Sequence, residues 1–142
     1  MIDKIEVTID VIIHATEDVS RIFQSFEELL DLKEGNFTIH ETTGHFDNPI
    51  IILNAKIVKK AAQNFIKKLL GFLSIEQINE LIGEIEERTV DSRFHMRLDK
   101  QEMIKGNFTF GEKETIKIKI HTPVYNKKNI VKIFTEIFQI AN

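Results

Sequence analysis

From Ile5 the chain alternates apolar and polar residues, Ile5-Glu6-Val7-Thr8-Ile9-Asp10-Val11, the period-two pattern of a strand with one buried face. The pattern runs to about His14. The spacing then changes: Val19, Ile22, Phe23, Phe26, Leu29 and Leu30 recur along one face of a helix. Thr16 is the expected N-cap, Glu17 and Asp18 sit where the helix dipole favours acids, and Gly35 marks the exit. Strands are predicted at about Phe37 to Thr43 and Ile50 to Val58, joined as a hairpin by the turn formers Gly44-His45-Phe46-Asp47-Asn48-Pro49. A second helix carries Ala62, Phe65, Ile66, Leu69 and Leu70 on one face and closes at Gly71. Ser74-Ile75-Glu76-Gln77 reads as a capping box that opens a third helix, running to about residue 88 with Ile78, Leu81, Ile82 and Ile85 inward.

The remainder predicts three strands and a helix. Phe94, Met96 and Leu98 alternate with Arg93, His95 and Arg97; Phe108 and Phe110 follow Gly106; Ile116, Ile118 and Ile120 alternate with Lys117, Lys119 and His121. The last helix starts near Asn126 and turns Ile130, Ile133, Phe134, Ile137 and Phe138 to the core. The order β-α-β-β-α-α-β-β-β-α lacks the strict alternation of a parallel sheet. An α+β fold is therefore expected, an antiparallel sheet packed by amphipathic helices. Nothing divides the chain, and its 142 residues suit a single domain over 1–142.

Composition narrows the classes. Hydrophobic residues at 42% and charged residues at 29% argue against disorder. The absence of cysteine excludes disulfides and thiolate chemistry and fits a cytoplasmic protein. Met1-Ile2-Asp3-Lys4 enters the first strand with no basic start and apolar run, so no signal peptide is expected, and the short apolar runs exclude a membrane span. The net charge of −3 speaks against nucleic acid unless the basic residues gather locally.

The last strands supply such a gathering. With Phe94, Met96 and Leu98 inward, Arg93, His95 and Arg97 point outward, as do Lys117, Lys119 and His121. Lys100 and Lys105 are expected in the connecting loop, and Lys127 and Lys128 begin the last helix. A clustered positive face of this kind suits sequence-independent phosphate contacts. The competing account is a solvated outer face with lysines that deter edge aggregation, and the strands alone favour it. The aromatics of these strands fall on the apolar side, which suits duplex or backbone contacts over base stacking.

His14, Glu17, Asp18 and His45 are the candidates for acid–base or metal chemistry. Capping by Thr16 and dipole compensation by Glu17 and Asp18 explain the same residues structurally. No HExxH, GxSxG, P-loop or GxGxxG motif occurs, and no cofactor is called for.

Three segments together carry a resemblance: His14-Ala15-Thr16-Glu17-Asp18, then Gly44-His45-Phe46-Asp47-Asn48-Pro49-Ile50, then Arg97-Leu98-Asp99-Lys100-Gln101 followed by Gly106. In this order and spacing the chain resembles an archaeal family of small, predicted RNA-binding, exosome-associated subunits. The resemblance implies a fold like that of double-stranded-RNA-binding domains or ribosomal protein L5. It also implies RNA as partner, with an exosome or other RNA-processing proteins beside it. Its turn usually reads Gly-His-Phe-Gly-Asn-Pro, so Asp47 stands here for a glycine. The family brings no established catalytic residues.

The leading expectation is a non-catalytic RNA-binding accessory protein. It contacts phosphates through Arg93, His95, Arg97, Lys100, Lys117, Lys119, Lys127 and Lys128, with His14, Thr16, Glu17, Asp18, Gly44, His45, Asn48, Pro49, Asp99 and Gln101 as the family motif. A protein-interaction or assembly module that binds through an exposed sheet edge or an apolar helix surface, with self-association or a protein partner, is the second. A hydrolase or metal enzyme at His14, Asp18 and His45 is the third.

Overall fold

The computed structural model of the protein describes residues 4–123 and 126–139. The Met1-Ile2-Asp3 start, from which no leader was expected, lies outside them. Among the described residues six strands form one antiparallel sheet in the order β2-β3-β1-β6-β5-β4. They are β1 (Glu6–His14), β2 (Phe37–Thr43), β3 (Pro49–Val58), β4 (Thr89–Val90), β5 (Arg93–Asp99) and β6 (Thr115–His121). The helices are α1 (Val19–Leu30), α2 (Lys59–Gly71), α3 (Ile75–Gly83), α4 (Ile85–Arg88), α5 (Lys100–Ile104) and α6 (Lys127–Gln139). The expected α+β class is the one observed. No helix among the described residues is long and apolar enough to cross a membrane.

The described residues fall into two compact units. Unit 1 lies within Met1–Val7, Ile57–Met96 and Lys119–Asn142, and unit 2 within Thr8–Lys56 and Arg97–Ile118. In unit 1 the helical stripe of α2 buries Ala62, Phe65, Ile66, Leu69 and Leu70 as its spacing predicts. Phe94 of β5 meets Phe138 of α6 edge-on at 4.8 Å and Phe134 at 5.6 Å. Each such buried aromatic contributes about 1.5–3 kcal/mol over its exposed state. Ser74 and Gln77 make the reciprocal capping box, with Ser74 Oγ accepting from the Gln77 N–H at 3.1 Å and Gln77 Oε1 from the Ser74 N–H at 2.8 Å. The third helix does not run unbroken to 88, because Glu84 leaves helical geometry (φ −112°, ψ 16°) between α3 and α4.

In unit 2, Ile22, Phe26 and Leu30 of α1 are buried, and Phe37 of β2 packs on Phe26 (4.9 Å) and Phe23 (5.7 Å). Asp18, and not Thr16, caps α1: its Oδ1 accepts from the Ser20 N–H at 3.0 Å. The helix ends four residues before Gly35, where Asp31 turns left-handed (φ 55°) and the Leu32 N–H reaches back to the Phe26 carbonyl at 3.1 Å. The β2–β3 turn closes with the Gly44 N–H on the Asn48 carbonyl (2.7 Å) and the Asp47 N–H on the Gly44 carbonyl (3.1 Å). Asp47 is left-handed (φ 59°), which explains why a glycine suits that position.

One expected strand is replaced by another. Residues 107–109 are irregular, and Phe110 makes a single bridge to Leu98. The cause is α5: Asp99 Oδ1 accepts from the Glu102 N–H at 2.9 Å and winds the chain into a helical turn straight after β5. The missing strand is β4. It pairs with β5 through the two-residue turn Asp91-Ser92, with both φ values positive (51° and 64°).

Candidate nucleic-acid interface

The alternation predicted for the basic strands is observed. Phe94, Met96, Leu98, Ile116, Ile118 and Ile120 are buried, Arg93, Arg97 and Lys117 are exposed, and His95, Lys119 and His121 are partly exposed. β5 and β6 are neighbours in the sheet, so the residues between the buried ones leave both strands on the opposite side.

Lys100 is the exception, and the correction is substantial. It starts α5, is 1% exposed, and is therefore no phosphate contact. Its Nζ donates to the Ile12 carbonyl (2.6 Å), to Glu17 Oε1 (2.7 Å) and to Glu114 Oε2 (3.3 Å), which uses all three ammonium hydrogens. Glu17 also accepts from the His14 N–H at Oε1 (2.9 Å) and from Gln101 Nε2 at Oε2 (2.7 Å). Burial raises the Glu17 pKa. The His14 N–H and the Lys100 ammonium outweigh that effect and hold the carboxyl below its ordinary range. Glu114 is left-handed (φ 51°), pinned by the Lys100 N–H on its carbonyl (3.1 Å) and by His14 Nε2, 3.4 Å from its Oε1.

Donor atoms of His14, Glu17 and Glu114 lie within 4.8 Å of one another, a spacing that could embrace a cation. The Lys100 ammonium already supplies that cation, and both Glu17 oxygens are engaged by it, His14 and Gln101. The cluster is an ion-pair network that locks the end of β1 to α5. The proposed trio His14, Asp18 and His45 is not what the chain assembles. Asp18 caps α1, where its Ser20 contacts lower its pKa, and His45 sits edge-on to Phe46 at 4.8 Å in the β2–β3 turn. Among the described residues, neither joins His14 in a cluster of three ligands.

Beside the network lies a groove of about 290 Å³ that both Arg97 and Lys117 line. Neither has a carboxylate within ion-pair distance among the described residues. Asp10, Glu112 and Glu114 share the groove, so Arg97 and Lys117 are its free cations in a mixed field. In unit 1, Arg93 donates to the Asp91 carbonyl (3.2 Å). Lys127 lines a cavity of about 630 Å³ together with Asp91, Ser92 and Glu86, and Lys128 is exposed, its N–H capped by Asn126 Oδ1 at 3.0 Å.

Comparison with known proteins decides the family. A family model described as RNA binding matches residues 6–122. The chain belongs to this RNA-binding family. An RNA-binding protein of Pyrococcus abyssi is 32% identical over 133 residues, covering 87% of this chain and 86% of that protein. An uncharacterized protein of Methanocaldococcus jannaschii is 30% identical over 137 residues, covering 89% of this chain and 91% of that protein. The crystal structure of a DUF54 protein from Archaeoglobus fulgidus superposes with a TM-score of 0.79 at 24% identity, over 94% of this chain and 99% of that one.

Within this RNA-binding family member, two of the three motif segments meet. Glu17 of the first receives Lys100 and Gln101 of the third, while Asp99 caps α5. The Gly44–Pro49 segment forms the hairpin turn and has a turn's role of its own. Lys100 was within reach of sequence reasoning: continuing Phe94, Met96, Leu98 by two residues places it on the buried side. Glu114 gave no such signal, because it depends on a loop of irregular backbone.

Proposed function

We propose that the protein binds RNA through its phosphates, with Arg97 and Lys117 as the leading contacts and Arg93, Lys119, Lys127 and Lys128 contributing, and that it does so without catalysis. The observation that carries this reading is the pair of exposed cations on one groove, neither with an ion-pair partner among the described residues. The one phenyl ring of these strands, Phe94, is buried, which leaves the smaller imidazoles of His95 and His121 on the outward faces and favours duplex RNA or backbone contacts over base recognition. The order α-β-β-β-α from α3 to α6, reading α3 and α4 together and setting aside the short α5, is that of a double-stranded-RNA-binding domain and supports the same choice. The family resemblance adds an accessory role in RNA processing or degradation, beside an exosome in the cytoplasm. Filter binding across a salt series tests the contacts. Arg97→Glu combined with Lys117→Glu should weaken binding for all sequences and reduce the salt slope by about one per residue. Unchanged affinity in the folded double variant refutes the assignment.

A further inference from the structure

β2 has β3 on one side and stands at the end of the sheet. Every second residue of such a strand turns its N–H and C=O outward, a template for another strand. Proteins blunt such edges by shortening them, by charged residues (Lys above all) or Pro, by a bulge, or by covering them. β4, at the opposite end of the strand order, is shortened to two residues. β2 carries a single charged residue, Glu41, and otherwise lacks these devices. It contains no Lys, Arg or Pro, six of its seven residues are exposed, and its register runs without a bulge from Phe37↔Ala55 to Thr43↔Pro49. Four of the seven are Thr or Ile, which favour strands. Ile39, on the same side as the buried Phe37, is 46% exposed, so the apolar face continues past the residue that α1 covers.

We propose that β2 pairs antiparallel with β2 of a second copy of this chain. Pairing requires a partner strand that is itself open and unblunted, and β2 meets its own requirement; identical antiparallel strands close under a two-fold axis. Such an axis sets one residue against its own copy. Glu41 is excluded there by like charge, whereas centring on Ile39 or His40 places Glu41 opposite Phe37 or Ile39 of the second copy. A seven-residue strand pair buries less than the roughly 1,200 Å² of a standard interface, so the association depends on concentration. This inference rests on the strand edge and is independent of the RNA reading.

Sedimentation equilibrium of the full chain tests it. The mass should rise from 16.5 kDa toward twice that value with concentration, and Ile39→Lys should hold it at one chain with an unchanged circular dichroism spectrum. Because the chain has no cysteine, Ile39→Cys and His40→Cys each introduce a single thiol, and the one on the axis should be trapped as a disulfide-linked pair. Glu76→Cys on exposed α3 is the control and should stay unlinked. A one-chain mass at every concentration overturns the proposal, as does a dimer that survives Ile39→Lys and links at neither position.

Discussion

Replacing Lys100 with Met preserves most of a buried side chain's volume and removes its ammonium. Three acceptors lose a donor, but unequally. Glu114 is 54% exposed on its side chain and is rehydrated at a cost of about 0–1 kcal/mol. Glu17 is 12% exposed on its side chain and loses its cation. Removing one member of a buried ion pair costs about 3–5 kcal/mol, because the other charge is stranded. A total of about 4 kcal/mol is a large share of the roughly 5–15 kcal/mol that holds a domain together. At about 3 °C per kcal/mol for this chain length, the thermal midpoint should fall by roughly 10–15 °C. Urea unfolding followed by circular dichroism measures the loss directly. Adding Glu17→Gln to Lys100→Met should recover part of it, with a coupling of about 2–3 kcal/mol in the double-mutant cycle. A loss below about 1 kcal/mol, or strict additivity, refutes the account of Lys100 as a buried structural cation. RNA affinity supplies a second check: the folded Lys100→Met protein should retain it, since a side chain 1% exposed has no access to a phosphate.

Glu17 has its folded pKa held below its ordinary value of 4.5, so its stabilisation is present above that value and disappears as pH falls through the folded pKa. Acid titration of stability should therefore be flatter for Glu17→Gln than for the natural chain; equal slopes would contradict the shift. Asp47→Gly should leave stability unchanged or raise it by up to about 1 kcal/mol by relieving the left-handed backbone, and Asp47→Val should lower it, both read from urea midpoints. Ser74→Ala should cost about 1 kcal/mol through loss of the α3 cap, with little effect if the Gln77 N–H is satisfied by water instead.

Period-two and helical spacing made the sheet and the core faces of the long helices legible, because in those elements burial follows position: every inward residue assigned to β1, β5 and α2 is buried. The places where reading failed are those where local hydrogen bonds override pattern. Asp99 winds α5 straight after β5, leaving the Phe108–Phe110 stretch with one bridge in place of the expected strand, and Thr89-Val90-Asp91-Ser92 makes a tight hairpin without the Asn or Gly that would announce it. At the candidate site, the outward set of Arg93, Arg97 and Lys117 could be read from alternation. The pairing of Lys100 with Glu17 could not, since it joins residues far apart in the chain.

That separation has a consequence for synthesis. Glu17 leaves the ribosome 83 residues ahead of Lys100, and at about 5–20 residues per second this amounts to roughly 4–17 s. Throughout that interval the Glu17 carboxylate lacks the Lys100 and Gln101 donors that it meets in the complete fold. The nascent N-terminal third should accordingly stay open to proteases and chaperones until α5 emerges, and a ribosome-bound chain stalled before residue 100 should resist proteolysis far less than one released after it.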